Sequence, residues 1–505
     1  MRSRAALVIV LALAFAGAGL VERDRSPGAT EAPSAGYGRV APMVASEDVL
    51  GSTWYCAAGS SDADGPADHT VVISNPSALD REATITVVPG TADPVTVVVE
   101  VPAATLERVQ LAEVVEAPAA AAMVEIDGGG VAVTHELVGP TGADRGPCAS
   151  TSADTWHFAW GDTSVDARSL VALFNPFPGD AVVDFDFVTV DGSRAPQALT
   201  GIVVPGQSVV VADVGAEVTR RDQVSATVTA RSGRIVAERI QSFDDAQEML
   251  EGAEPRRGLA VDLGVSEPME IWVHPGARLA EGATERMVIY NPGSSTAEID
   301  VEVLIADPEW GGIEPFELTV APQRYEVLDL SDQPRLAERF EDEPIEATVL
   351  VRSLNGVPVV AERVTIVPTS ANGPGVSAST GSPLLGRSQL VVDPRPQGSE
   401  DPIVSLVNPH AEGIVTGSIR LLARGTDRGL EGFEDFEIPA GGRLLLDDLG
   451  DQVTAAGASM LVIESSRPLA IGNRTRIDDP ADRSSGGALV FSDTAELPPD
   501  ILASG

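Results

Sequence analysis

Asp68-His69-Thr70-Val71-Val72-Ile73-Ser74-Asn75-Pro76 is the stretch on which the fold turns. A run of β-branched residues reads as a strand, and the Asn-Pro pair stops it. Proline has no N–H to give to a ladder and forces the preceding residue out of the helical region, while the Asn side chain can bond the turn backbone. Only seven asparagines occur in the chain, and four precede a proline at the end of an apolar run: Asn75, Asn175, Asn291 and Asn408. Their spacings of 100, 116 and 117 residues match one β-sandwich domain and are too long for a solenoid unit or a propeller blade. One module is therefore used four times.

The surrounding sequence repeats with the same frame. Pro102, Pro205, Pro322 and Pro439 fall 27, 30, 31 and 31 residues after their Asn, and each leads into another apolar strand. Trp54, Trp156 and Trp272 open the first three repeats, and Leu390 takes that place in the fourth. Each repeat ends in two apolar runs joined by turn residues (Asp127-Gly128-Gly129-Gly130, Ser232-Gly233, Asn355-Gly356, Ser465-Ser466-Arg467), the punctuation of a hairpin. About seven strands per unit predict an all-β chain of four tandem immunoglobulin-like or fibronectin-like antiparallel β-sandwich modules. No long helix is needed, apart from a turn or two around Ala246 to Gly252. The expected modules are residues 50–152, 153–265, 266–385 and 386–505, after a segment 1–21 and a flexible Pro/Ala/Gly/Ser-rich stalk, 22–49. The stretches near 142–152, 252–270 and 370–387 look like linkers but echo one another in Arg145-Gly146, Arg257-Gly258 and Gly373-Pro374-Gly375, which predicts ordered straps or extra edge strands.

Composition bounds partners and compartment. There are 75 acidic and 34 basic residues, a net charge of −41, and every cation is Arg because the chain has no Lys. Such a field repels polyanions, so nucleic acid is excluded as a partner. Without lysine there is no Walker A motif, Schiff base, Ser-Lys dyad or Lys–Asn crosslink. Arg2 and Arg4 precede an uncharged run from Ala5 to Val21. This fits either a cleaved export signal or a single N-terminal anchor, the only contact with a membrane that the sequence offers. Both readings place the chain outside the cytoplasm, secreted or anchored. Two cysteines in an exported chain, Cys56 and Cys148, predict a disulfide.

Chemistry-bearing patterns are sparse. Asp62, Asp64 and Asp68 around Gly65 offer oxygen ligands for Ca2+ but lack the downstream Glu of a full calcium loop; the alternative is a solvated acidic loop. Trp160 and Trp310 are the two tryptophans outside the repeat frame and the candidate contact aromatics for a glycan; the alternative, which a single loop aromatic favours, is a buried or merely tolerated Trp. Glu136, Glu238 and Glu362 recur in the closing strands, which reads as a structural hydrogen bond or ion pair. His69, His135, His157, His274 and His410 show no metal-ligand spacing. No nucleophile elbow or dinucleotide fingerprint is present, so neither catalytic residues nor a cofactor are expected.

Ser52-Thr53-Trp54-Tyr55-Cys56, with the Asn75-Pro76 strand, the later Asn-Pro strands and the Ala-Glu-Arg closing strands, resembles an actinobacterial family of exported proteins known only as a domain of unknown function. The resemblance implies an envelope setting in a high-GC Gram-positive organism, and it brings no assigned activity or site. Repetition without a repeated reactive group leads to the expectation of a non-enzymatic envelope scaffold or interaction protein, a rod or compact cluster of modules, whose partner is an envelope protein or glycan. The alternatives are a glycan- or Ca2+-binding protein and an enzyme with a site between modules.

Overall fold

The computed structural model describes residues 39–62, 65–90, 92–245, 255–305, 313–340, 343–369, 375–394, 399–447, 449–457, 459–477 and 483–498. These are almost wholly antiparallel strands arranged in sheets, as the Val- and Thr-rich alternation predicts. In the first repeat one sheet runs in the order Ser52–Cys56, Ala120–Ile126, Arg81–Pro89, Val95–Val101. The other runs Thr105–Gln110, Asp68–Asn75, Ala132–Gly139, Gly142–Pro147. Trp54, Val71, Ile73, Ile85 and Val124 from both sheets meet in one core. The second and third repeats follow the same order, the second with an added short strand, Gly192–Arg194. In the fourth repeat the strands join into an eleven-stranded sheet.

The two apolar runs that close each repeat are not a hairpin. Ser225–Ser232 and Val236–Phe243 pair with different partners in different sheets, so the glycine turn between them is an arch from one sheet to the other. Period-two alternation is the same for both arrangements and cannot separate them. In the fourth repeat Ser465-Ser466-Arg467 contains no glycine, whereas Gly233 and Gly356 hold φ of 79° and 72°. There the run continues as one 18-residue strand, Met460–Ile477, which pairs first with one sheet and then with the other.

Each Asn-Pro asparagine is buried, and its carboxamide has the same task four times. Asn175 Nδ2 donates to Gly179 O (2.8 Å) and to Val204 O (3.1 Å), while its Oδ1 accepts from Phe177 N (3.1 Å). Asn75 reaches Val101 O, Asn291 reaches Val320 O and Asn408 reaches Ile438 O in the same way. The carbonyl acceptor belongs to the residue just before the second repeated proline in three repeats, and in the third Val320 stands two before Pro322. The spacing of about thirty residues between Asn and that proline is thus the length of chain that one amide must tie back across the two sheets.

The apparent linkers are strands, as the echo suggested. Gly142–Pro147, Gly258–Leu263, Gly375–Thr380 and Arg483–Gly487 each add an outer strand beside their own repeat's closing strand. This makes eight strands where the turn count gave seven. The echo itself was misaligned, because Gly142, not Gly146, corresponds to Gly258 by ladder register. The four strap strands pack in sequence, first on second, second on third, third on fourth and fourth back on first. The described chain is therefore a closed circuit and not a rod.

Residues 22–49 were expected to be a flexible stalk, but their described part is bound. Met43 and Val44 pair in parallel with Val490 and Phe491. Met43 N donates to Ser150 Oγ (3.3 Å), and Ser266 Oγ donates to Arg39 O. Residues 1–38, and with them the segment expected to act as signal or anchor, lie outside the described residues, as does the turn expected around Ala246 to Gly252.

Replacing Asn175 by Ala leaves several buried backbone groups without partners and is expected to cost about 3 kcal/mol in denaturant unfolding. Asn175→Asp should cost at least as much at neutral pH, because it aims a carboxylate at two carbonyls. An effect under roughly 1 kcal/mol for both would show that the amide is not needed to hold the sheets.

Candidate functional site

Aligning the repeats by ladder register places Thr134, Glu238, Glu362 and Gly472 at one position of the closing strand, each opposite the residue three before its Asn. Glu136 is two residues out of register with the other glutamates, and its carboxylate instead faces Arg108 (3.3 Å), on the strand beyond Asp68–Asn75. Glu238 and Glu362 are fully buried and reach into the preceding repeat. Glu238 Oε2 accepts from Ala57 N (2.8 Å) and Ala58 N (2.7 Å). Glu362 accepts from Ala159 N (2.8 Å) and Trp160 N (3.1 Å). The donors stand three and four residues after Trp54 and Trp156.

The same two places after Trp272 hold Pro275 and Gly276, and after Leu390 they hold Asp393 and Pro394. A proline has no N–H to donate. At those two junctions the facing residue is Gly472 or Thr134, so glutamate is present where two amides await it and absent where one has been removed. At Gly472 a side chain is also sterically excluded: a Cβ there would lie 2.7 Å from Pro275 O.

Each buried carboxylate also meets a nitrogen-bearing side chain from the repeat it enters. Arg239 Nη2 donates to Glu362 Oε2 (3.1 Å) and to Asp262, and Arg239 Nη1 donates to Trp160 O. Burial pushes the Glu362 carboxyl up, and Arg239 pulls it back. At the first junction histidine occupies the place of Arg239. His69 Nδ1 donates to Ala120 O (2.9 Å), which leaves its Nε2 to accept from His135 Nδ1 (3.1 Å), and His135 Nε2 stands 3.1 Å from Glu238 Oε1. Burial, with His135 adding to it, lowers the His69 pKa to about 3, so His69 is the neutral end of the chain. The remaining junctions carry other ion pairs: Arg474 to Glu346 (2.8 and 3.0 Å), and Arg108 and Arg145 around the buried Asp393.

Two residues after each opening Trp or Leu lies a further repeated contact. In the first repeat Cys56 is bonded to Cys148, as the sequence predicted. By register the equivalent pairs are Phe158 with Gly264, His274 with Gly381 and Val392 with Ala488. A Cβ on Gly264 would meet Phe158 Cζ at 2.9 Å, and one on Gly381 would meet His274 Nε2 at 2.5 Å. The bulk of the disulfide is thus replaced by one large side chain over a glycine. His274 and its neighbours open onto a cleft of about 160 Å³ at the centre of the circuit, walled by the strap strands and by Val40–Pro42.

The candidates read from sequence are placed as follows. Trp160 is buried, with Arg239 5.0 Å over its ring and Phe243 stacked at 6.1 Å, so it is a junction residue and not a ligand platform. Trp310 and Asp64 lie outside the described residues. Asp62 and Asp68 stand in and after the turn, and among the described residues no three His, Cys, Asp or Glu side chains are grouped to hold a metal ion. No described helix is long and apolar enough to cross a membrane. Sequence reading missed the junction role of Glu238 and Glu362. The signal that could have found it was the joint occurrence of Pro275 and Pro394 with the missing glutamates.

A family model described as a family of unknown function, DUF5719, matches residues 134–446. The chain belongs to the DUF5719 family. The match begins after the Trp-Tyr-Cys opening, within the closing strand of the first repeat, and ends with the Arg443–Leu446 strand of the fourth repeat of this DUF5719 protein. No curated protein matches. Among solved structures, the chain is similar to Thermotoga maritima 1070 at 19% identity and TM-score 0.19, covering 23% of this chain and 95% of that one. It is similar to a Streptomyces avermitilis α-L-rhamnosidase complexed with L-rhamnose at 11% identity and TM-score 0.14, covering 68% of this chain and 44% of that one. It is also similar to a tetra-tandem repeat in the extending region of a large adhesion protein, at 12% identity and TM-score 0.10, covering 87% and 99%.

Glu362→Ala should lower stability by about 3 to 5 kcal/mol, since it strands Arg239 and two amide N–H groups together. Glu362→Gln, which keeps an acceptor, should cost less in the same denaturant titration. A second expectation concerns acid. Burial, with Arg363 adding to it, lowers the His274 pKa from 6.5 to about 3. A group with a depressed folded pKa stabilises fully above its unfolded pKa, and that contribution fades as pH falls through the window from 6.5 towards 3. Between pH 7 and pH 5 the unmodified chain should therefore lose roughly 2 kcal/mol more than a His274→Phe chain. Parallel pH profiles for the two would contradict this.

Proposed function

We propose that this protein is a non-enzymatic extracytoplasmic scaffold or interaction protein of the cell envelope, in which four repeated β-sandwich units close on themselves. The observation that carries the reading is the use made of the buried charged residues. Glu238, Glu362, Arg239 and His135 are spent on backbone groups and on one another across the junctions, the arrangement of a joint and not of a reaction centre. The disulfide between Cys56 and Cys148 supports a setting outside the reducing cytoplasm. An acidic surface of net charge −41 suits a hydrated exterior and selects against polyanionic partners.

The test is fractionation of the native host followed by crosslinking and mass spectrometry. Because the chain has no lysine, amine-reactive reagents have no side chain to attack, and a carboxyl-reactive reagent is required. The expected outcome is recovery in the envelope or secreted fraction with a reproducible neighbour linked through the acidic surface. Recovery in the cytoplasm with the cysteines reduced, or turnover in an unbiased hydrolase screen, would overturn the proposal.

A further inference from the structure

One sheet edge of the first repeat is open. Val95–Val101 is the last strand of its sheet and, among the described residues, pairs only with Arg81–Pro89. The register runs unbroken from Arg81 opposite Val101 to Val87 opposite Val95, and no backbone group of another element bonds to residues 95–100. Val97 and Val99 pack on the core yet are only partly buried, and Val98, on the outer face opposite Thr84, is 59% exposed.

The equivalent edges of the other repeats are blunted. In the second the register breaks between Val183 and Asp184, where Gly201, at φ 72°, donates its N–H to Asp184 (2.7 Å), and Gly192–Arg194 occupies part of the same edge. In the third the strand has five residues, Phe316–Val320, and Arg335 covers the Phe316 ring. In the fourth it has three, Phe436–Ile438. Bulges, covering side chains and shortness are how soluble proteins keep sheet edges from pairing. A seven-residue edge with five valines and none of these guards marks a pairing surface.

The sequence of the edge says what fits it. Pro94-Val95-Thr96-Val97-Val98-Val99-Glu100-Val101-Pro102 reads nearly the same in both directions about Val98. Laid antiparallel on a second copy with the two-fold axis at Val98, every valine meets a valine, and only this register pairs all seven residues. The ladder stops at both ends where Pro94 faces Pro102, neither of which has an N–H to give. Glu100 already stands opposite Glu82 within its own sheet, so its other neighbour must not be acidic. In this register that neighbour is the Thr96 hydroxyl of the second copy, whereas a register centred on Glu100 would set two carboxylates face to face.

We propose that two copies of this chain associate by pairing Val95–Val101 antiparallel, which joins two four-stranded sheets into one about a two-fold axis at Val98. One strand from each copy makes a small interface, so the dimer is weak, with a Kd of roughly 10 to 100 µM. Each copy carries a net charge of −41, so association tightens as salt rises. The inference concerns the purified chain and is independent of the envelope setting, so a monomer would leave that reading standing.

The test is sedimentation equilibrium of the full chain over about 1 to 500 µM in roughly 0.5 M salt, which should show monomer and dimer in exchange. Val98→Arg and Val98→Glu each set like charges across the axis and should weaken the dimer at least about tenfold. Because Val98 projects outward, both variants should unfold at the same denaturant midpoint as the unmodified chain. Mixing the two variants places Arg opposite Glu and should return the affinity to within about threefold of the original. A monomer at every concentration, association that runs past the dimer, association untouched by either variant, or no recovery on mixing would overturn the proposal.

Discussion

One carboxamide, used four times, sets the form of this chain. A strand ending at Asn-Pro presents a buried amide whose two N–H groups need carbonyls, and the nearest suitable ones lie at the end of a strand in the facing sheet. Satisfying them fixes how the sheets sit and where the next proline must fall. Everything between those points varies in sequence, from Val-Thr-Val-Val-Val-Glu-Val at 95–101 to the charged 426–438 segment, because only its length and its alternation are constrained.

The second constraint is the junction. Buried glutamates are costly unless their oxygens are matched, and here two backbone N–H groups and a cation supply the match. Arg239 gives a permanent charge at the second junction. At the first junction His135 stands in its place, backed by His69 and the Ala120 carbonyl. The first and fourth repeats are joined by apolar packing of Trp54 and Val124 with Leu390, Met460 and Leu489 in one core, so the circuit closes without a buried glutamate there.

Local features of the fold were legible in the sequence. Asn-Pro, the opening Trp and the glycine turns are backbone devices, and the backbone obeys them wherever they occur. The strap strands showed through their echo, and the Cys56–Cys148 bond through the even cysteine count. What failed was partnership over distance. The turn at Ser232-Gly233 reads the same whether the next strand returns beside the first or crosses to the other sheet, and a buried Trp160 does not by itself name Arg239 and Phe243 as the groups around it. Glu136 was grouped with Glu238 and Glu362 because residue type carries no register, and register is decided by the ladder.

The coincidence of missing glutamate with proline has an outcome for how the repeats can be ordered. A unit carrying Glu238 or Glu362 finds its amide pair only behind Trp54 or Trp156, and behind Trp272 it would meet Pro275 and a space that only glycine fits. The four units are alike in form but not exchangeable. Their seams work as an address, admitting each neighbour in a single sequence around the axis.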